Sequence, residues 1–551
     1  MDNRLINKIL GLFRDMNIVP RFKKFYTTTS NKYRVIISSL TEIKWISNIG
    51  FLLVFIWLCW FFNYHITFFK PPQSVHTWRQ TNSLSITQMY YQYKCHFFEP
   101  EIHNQFADRG KSGKTIAEFP ILYYLMAKIW QLIGKSEWSF RVLHLVIIFI
   151  GLFSLFRLLI PITGNAIRAG FISSLIFTSP MFIFFGPNFL PDAPALAFTF
   201  LAWYFLYRFI KYGRKYYYLW ISAALFFLAM SLKVITATSF IAIGSWALFE
   251  KILTREDNRI FRFKFKHYLP FVISFLLVVA WFKYTLYYNK LHMAEYSVSD
   301  VWPIWKITSE KFHLVLDALE KIYFKELLFP NLQFATVLIW MFLLVVIKKL
   351  APFFRYLIII MPLGMASVLA LWFEVLQGHD YYMISQFQVL VIVWAAFFSY
   401  LKGKRLWNNP IIYIALIYIV SILADNGRIH HNDRYRGWWN EGYKKYLEAY
   451  TEVGPYFDKW GIGDDDLVIS IPDNSIATTL YYMNRRGYTS FGNDFSKSLE
   501  FRKRIFQGAK WLIIKDKKIL DDPVVQEFAT DSVGQYRNII VYRLNRNMNK
   551  Q

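Results

Sequence analysis

Eleven long apolar stretches run through this 551-residue sequence and limit what it can fold into more than any other feature. They fall at residues 46–69, 139–160, 169–190, 193–211, 217–233, 235–250, 268–288, 331–348, 353–373, 382–400 and 410–424. A helix needs about 20 mostly apolar residues to cross the hydrocarbon core of a bilayer. Lipid offers backbone N–H and C=O groups no partner, so each stretch is expected to satisfy its own as a helix. The expected fold class is an α-helical polytopic membrane protein of about 11 transmembrane helices, with a small C-terminal α/β domain outside the membrane.

One further stretch, Glu118–Gly134, is ambiguous, because it is shorter and carries Lys128 and Gln131. The placement of charge resolves it. If this stretch lies along the surface and the chain starts inside, the cytoplasmic loops hold Arg157 and Arg168, then Arg208, Lys211, Arg214 and Lys215. They go on to hold Lys251, Arg255, Arg259, Arg262, Lys264 and Lys266, then Lys348, Lys349 and Arg355, then Lys402, Lys404 and Arg405. Counted as a crossing, 118–134 would put every later basic loop outside, against the positive-inside bias. The same clustering explains the formal net charge of +26. Spread over a soluble surface it would suggest nucleic acid; gathered in short runs between apolar stretches, it argues against that partner.

The resulting division has a basic cytoplasmic tail at 1–45, with no cleavable signal peptide, and a transmembrane domain at 46–424. An interfacial helix (Leu5, Ile6, Ile9, Leu10, Phe13) and a disordered tail fit the first segment equally well. Polar regions at 70–138 and 289–330 face the exoplasm, the second with an amphipathic stretch (Phe312, Val315, Leu316, Leu319, Ile322, Tyr323) suited to the bilayer surface. Residues 425–551 form the exoplasmic α/β domain, where DLVISIP, AKWLIIKD and RNIIVYRL read as strands and IATTLYYMNRRG and SLEFRKRIFQG as helices. Cys59 and Cys95 are too few and too differently placed for a disulfide framework.

Polar groups near the membrane are costly to place there and mark candidate sites. HTWRQTN (His76–Asn82) opens the first outer region, and its Arg79 has the planar fork that grips a phosphate bidentately. Glu118 and Asp192 each start an apolar helix at the same membrane face. A carboxylate there can simply favour the helix N-terminus, or the two can hold a divalent cation or act as base and ligand. Lys233 interrupts LAMSLKVITAT near the outer face, where it can meet an anionic phosphate or snorkel to water. His379-Asp380-Tyr381-Tyr382 is the last outer group before a crossing, readable as a cap with interfacial tyrosines.

Other signals are weak. Asp464-Asp465-Asp466 precedes a strand and reads as a solvated turn. His430-His431 with Asp433 lacks a further close ligand for zinc. The Trp pair in RGWWNEGY fits an interfacial aromatic belt. Neither a GxxxxGK[ST] loop nor a Rossmann glycine fingerprint occurs, which argues against an ATP-driven pump.

A long first outer loop opening with WRQ, EFP leading an interfacial helix, and PD at the next outer turn together resemble the GT-C superfamily, over roughly residues 46–400. These are integral-membrane glycosyltransferases with polyprenyl-phosphate sugar donors. The branch resembled joins protein O-mannosyltransferases, the aminoarabinose lipid A transferase and rhizobial lipopolysaccharide-core glycosyltransferases. The resemblance implies attack of an acceptor hydroxyl on the anomeric carbon with inversion, while the lipid phosphate leaves. It implies a first-loop Asp acting as general base, and that position corresponds to Asn82, which cannot accept a proton. Asp108 or Glu118 then takes the role, or other groups do, or the protein is inactive. It further implies metal-site acids at Glu118 and Asp192, so that a divalent metal ion is the one cofactor expected. Phosphate contacts fall to Lys233 and Arg141, and a cationic group near the donor phosphate to His379.

The expected function is transfer of a sugar from a polyprenyl-phosphate donor to a lipid, glycan or protein acceptor at the outer face of the cytoplasmic (inner) membrane. The alternatives are a transporter or flippase of a lipid-linked glycan, disfavoured because the polar groups sit near the outer helix ends and not at the midplane, and a catalytically inactive relative.

Overall fold

The computed structural model describes residues 44–294 and 301–545. The basic tail and its expected interfacial helix lie outside the described residues, apart from the last two positions, as do residues 295–300 of the second polar region.

Each of the eleven apolar stretches is helical. In chain order the helices that matter here are α1 (Lys44–Phe61), α2 (Thr77–Gln92), α3 (Ile121–Ile133), α4 (Glu137–Thr163), α5 (Ala166–Phe177) and α6 (Pro180–Phe185). They continue as α7 (Asp192–Lys211), α8 (Tyr217–Leu232), α9 (Ala237–Leu253), α10 (Leu269–Leu291), α11 (Ser309–Ala318), α12 (Pro330–Val345), α13 (Pro352–Leu371), α14 (Phe387–Leu401) and α15 (Pro410–Asp433). Among the described residues, six helices are long and apolar enough to cross a membrane, or seven if Ser309–Glu326 and Pro330–Val345, bent by 97°, count as one span. The chain is an integral membrane protein. The remaining apolar helices are shorter, and the stretch 169–190 is broken. Pro180 opens a new helix after Ser179, whose side chain caps it, and Lys233 adopts extended backbone between α8 and the short turn Val234–Thr236.

Side-chain size sets how closely the helices approach. A Cβ on Gly151 of α4 would sit 2.6 Å from the Cα of Ala197 on α7, so only glycine allows this contact. Arg141, near the start of α4, is buried among backbone carbonyls. Its Nη1 donates to those of Thr67, Phe68 and Lys70 at 3.0, 2.7 and 2.5 Å, and its Nε donates to Asn188 Oδ1 at 3.1 Å. These bonds tie the exit of the first apolar stretch to α4.

α15 runs through residue 425 to Asp433, ahead of the C-terminal α/β domain. That domain holds a five-stranded sheet of order β2-β1-β3-β5-β4, from β1 (Leu467–Ile471), β2 (Gly487–Tyr488), β3 (Ala509–Ile514), β4 (Asp531–Tyr536) and β5 (Ile539–Arg543). β1 is parallel to β2 and β3, while β5 is antiparallel to β3 and β4. The three expected strands are β1, β3 and β5. β2 is very short and β4 (DSVGQY) is mostly polar and partly exposed, so neither carries an apolar run.

The first outer region is joined to this domain. Gly487 N donates to the His103 carbonyl at 3.0 Å, and Gln105 N to that of Gly487 at 2.7 Å, so the segment around Asn104 extends the sheet beside β2. Thr81 of α2 meets Thr478 at 2.9 Å, and Tyr481 OH donates to Glu137 at 2.6 Å.

Candidate functional site

HTWRQTN forms the start of a buried polar helix and not an open loop. α2 begins after His76, which holds φ 53 in the left-handed region, and most of its residues are buried. Its polar side chains are satisfied locally: Gln80 Nε2, for example, donates to the carbonyls of Gln73 and Val75 at 3.0 and 2.9 Å. The helix thereby holds Trp78 and Arg79 at the edge of a cavity of about 910 Å³, lined also by Glu118, Lys233, His379, Tyr381 and Tyr382. Aromatic side chains, among them Phe282, Trp302 and Trp372, form other walls, and Ile476 and Phe491 reach in from the C-terminal domain.

Four charges are concentrated here. Lys233 Nζ lies 3.3 Å from Asp192 Oδ1 and 3.9 Å from Glu118 Oε1. Arg79 Nη2 donates to Glu118 Oε1, and Tyr123 OH to Glu118 Oε2 at 3.5 Å. Asp192 is the first residue of α7 and is fully buried. The break in the helix at Lys233 turns its ammonium toward both acids and over the rings of Tyr382 and Tyr381, at 4.6 and 5.2 Å. Two cations and two carboxylates thus neutralise one another, with both cations at or near the cavity surface.

Residues 117–284, which contain Glu118, Asp192 and Lys233, match the family model of dolichyl-phosphate-mannose-protein mannosyltransferases. No curated protein matches the chain in sequence. In three dimensions it is similar to ArnT from Cupriavidus metallidurans in the apo state, with a TM-score of 0.56 at 11% identity over 91% of this chain and 99% of that one. ArnT from the same organism bound to undecaprenyl phosphate gives a TM-score of 0.54 at 11% identity, over 90% of this chain and 98% of that one. The chain has the GT-C fold.

Three of the residues assigned from the GT-C resemblance meet in the cavity region, Glu118, Asp192 and Lys233, together with Arg79. His379 lines the cavity as well. Its imidazole is pushed down to about 4 by burial and by the neighbouring His76, and Nδ1 donates to the Val375 carbonyl at 3.2 Å.

The other assignments go elsewhere. Asn82 is buried within α2 and does not line the cavity; among the described residues its Oδ1 has no hydrogen-bond partner. Asp108 sits at a half-buried turn, bonded to Ser112 and, at 3.0 Å, to His292 Nδ1, and it too is absent from the lining. Arg141 is absent from the lining, its Nη1 and Nε engaged by the carbonyls and Asn188 already described. Asn82→Asp, which on sequence grounds would restore a base, is instead expected to place an unpaired carboxylate in a packed helix at a cost of about 3 kcal/mol. Detergent-extractable protein should fall and transfer should not rise, measured by fluorescence-detected size exclusion and envelope-glycan mass spectrometry.

A divalent metal ion fits these residues poorly. Lys233 already stands between Glu118 and Asp192, with Arg79 on the remaining side, so an added dication would meet two fixed positive charges. Among the described residues no group of three or more His, Cys, Asp or Glu side chains could hold one.

Sequence reasoning missed a second charged group beside the cavity. His76 Nε2 bonds to Asp380 Oδ1 at 2.9 Å, and Asp380 Oδ2 lies 3.6 Å from Arg434 Nη2. Arg434 in turn donates to Glu326 at 2.8 Å, and Glu326 also takes a bond from His430 at 2.9 Å. His76 and Asp380 stand in two motifs that the sequence did single out. Their pairing spans 304 positions, and no local pattern announces it.

Proposed function

We propose that this protein is a membrane glycosyltransferase that moves a sugar from a polyprenyl-phosphate donor to a cell-envelope acceptor (glycolipid, lipopolysaccharide or protein). The reaction takes place at the outer face of the cytoplasmic membrane, with the N-terminus inside and the C-terminal domain outside, as the distribution of Lys and Arg requires. One observation carries this reading: Arg79 and Lys233 line one cavity and share Glu118, and Lys233 is also held by the buried Asp192. A lipid-linked phosphate entering from the bilayer would be met by both cations without having to order either of them.

Transfer is a displacement at the anomeric carbon. The acceptor oxygen forms the new glycosidic bond as the bond to the phosphate oxygen breaks, with inversion. Negative charge grows on the departing phosphate, and fixed cations in a partly water-excluded site stabilise it more than water does. Asp192 and Glu118 hold the two cations in place, and His379 and the tyrosines shape the approach. That ArnT of this fold is bound to undecaprenyl phosphate supports the donor class.

The test has two parts. Native mass spectrometry of the purified protein should show bound undecaprenyl phosphate, at least tenfold weaker in Arg79→Ala, since a bidentate charge-assisted contact contributes about 1.5–3 kcal/mol. Envelope glycans compared with and without the protein should differ by one sugar linkage. If binding is absent and the glycans are identical, the reading fails.

A further inference from the structure

A glycosyl transfer of this kind leaves one role open: the group that takes the proton of the acceptor hydroxyl. None of the acids expected for it suits it. Asp192 is fully buried beneath Lys233, Glu118 is held by both cations, Asp108 is tied to Ser112 and His292, and Asn82 is an amide with no basic atom. A carboxylate fixed by cations is a weak base, and those cations are needed by the phosphate.

His76 stands directly behind two cavity-lining residues and carries a basic ring atom that no cation holds. Its side chain is 13% exposed, and Nε2 is engaged by Asp380, whose own side chain is 7% exposed. Among the described residues no partner is recorded for Nδ1. The ring stacks on His379 at 5.9 Å and meets the edge of Tyr381 at 5.1 Å, both of them cavity-lining residues. Tyr381 is also one of the two rings under Lys233, so His76 and the phosphate-side cation share a neighbour.

The support behind His76 is built in layers. Asp380 is fixed by Arg434, which packs its guanidinium on Phe184 and Phe185 and is held by Glu326. A base oriented by a buried carboxylate, itself oriented by a third group, is an arrangement that keeps an imidazole in one tautomer and stabilises its protonated form. The backbone shows the same bias. Ser74 and His76 hold φ of 72 and 53, values that side-chain-bearing residues seldom adopt and that cluster at functional sites.

We propose that His76, oriented by Asp380, accepts the proton of the acceptor hydroxyl. The proposal rests on the glycosyltransferase reading above. As the acceptor oxygen bonds to the anomeric carbon, its proton passes to Nδ1. The electron pair of the breaking carbon–oxygen bond leaves with the lipid phosphate, beside Arg79 and Lys233. The imidazolium so formed is paired with the Asp380 carboxylate.

The experiment uses membrane vesicles from cells making the full-length protein, with mass spectrometry of the envelope linkage that the wild type forms. His76→Gln keeps an amide N–H for Asp380 but has no basic nitrogen; it should lose about 10²–10⁴-fold in transfer while binding undecaprenyl phosphate as the wild type does. His76→Gly should recover at least tenfold when imidazole is added, a response that a merely structural latch would not give. Transfer by His76→Gln near the wild-type rate would overturn the assignment, as would a folded, lipid-binding His76→Gly that ignores imidazole. A wild type that forms no linkage at all would instead remove the enzyme reading beneath it.

Discussion

Lys233→Met is expected to lower sugar transfer by about 10³-fold, the scale of removing a preorganised charge from a developing oxyanion. The change has two consequences that must be separated. The first is catalytic, since on the proposed function the departing phosphate would lose one of two cations. The second is structural, because Asp192 is fully buried and loses the ammonium 3.3 Å away. Breaking such a pair from one side costs about 3–5 kcal/mol, because an uncompensated charge stays behind. Lys233→Met alone should therefore reduce both transfer and the amount of folded protein. Adding Asp192→Asn removes the stranded charge, so the double variant should return toward wild-type folded yield and still transfer nothing. Size-exclusion profiles and envelope-glycan mass spectrometry on the same membranes read the two effects independently. A double variant that is both folded and active would show that the pair is only a structural clamp.

Arg141→Ala is expected to have the largest effect on stability. Its guanidinium donates to three backbone carbonyls and to Asn188, and stacks at 4.6 Å on Phe189, all within the packed start of α4. Hydrogen bonds to a charged partner contribute about 1.5–3 kcal/mol each, and their buried acceptors would be left unsatisfied. The loss is thus several such contributions, enough to empty the folded population of a marginally stable protein. Arg141→Lys offers one compact ammonium where a planar fork is required and should rescue only part of the yield. The discriminating measurement is undecaprenyl phosphate affinity in whatever fraction folds: it should match the wild type. A folded Arg141→Ala protein with tenfold weaker lipid binding would instead place this arginine on the donor phosphate.

Much of this architecture was legible in the residues, for physical reasons. Apolar length forces helices in lipid, so the membrane class needed no coordinates. Costly polar groups stand out against an apolar background, which is why Glu118, Asp192, Lys233 and Arg79 were recognisable as a set. β4 and the short β2 were not legible, since a polar edge strand and a two-residue strand carry no alternating pattern.

What only the tertiary structure decided is which polar groups meet. The resemblance put the family's base position at Asn82, which cannot accept a proton, and a phosphate contact at Arg141, but packing buries the first within α2 and sets the second against backbone carbonyls. Packing also brought His76 to Asp380 across 304 residues and gave the cavity a wall from the C-terminal domain. A sequence fixes how much each group costs to bury, because that depends on the group and its immediate chain. Which partner meets that cost depends on helix crossings and loop paths set by the whole packed molecule, and these no local stretch contains.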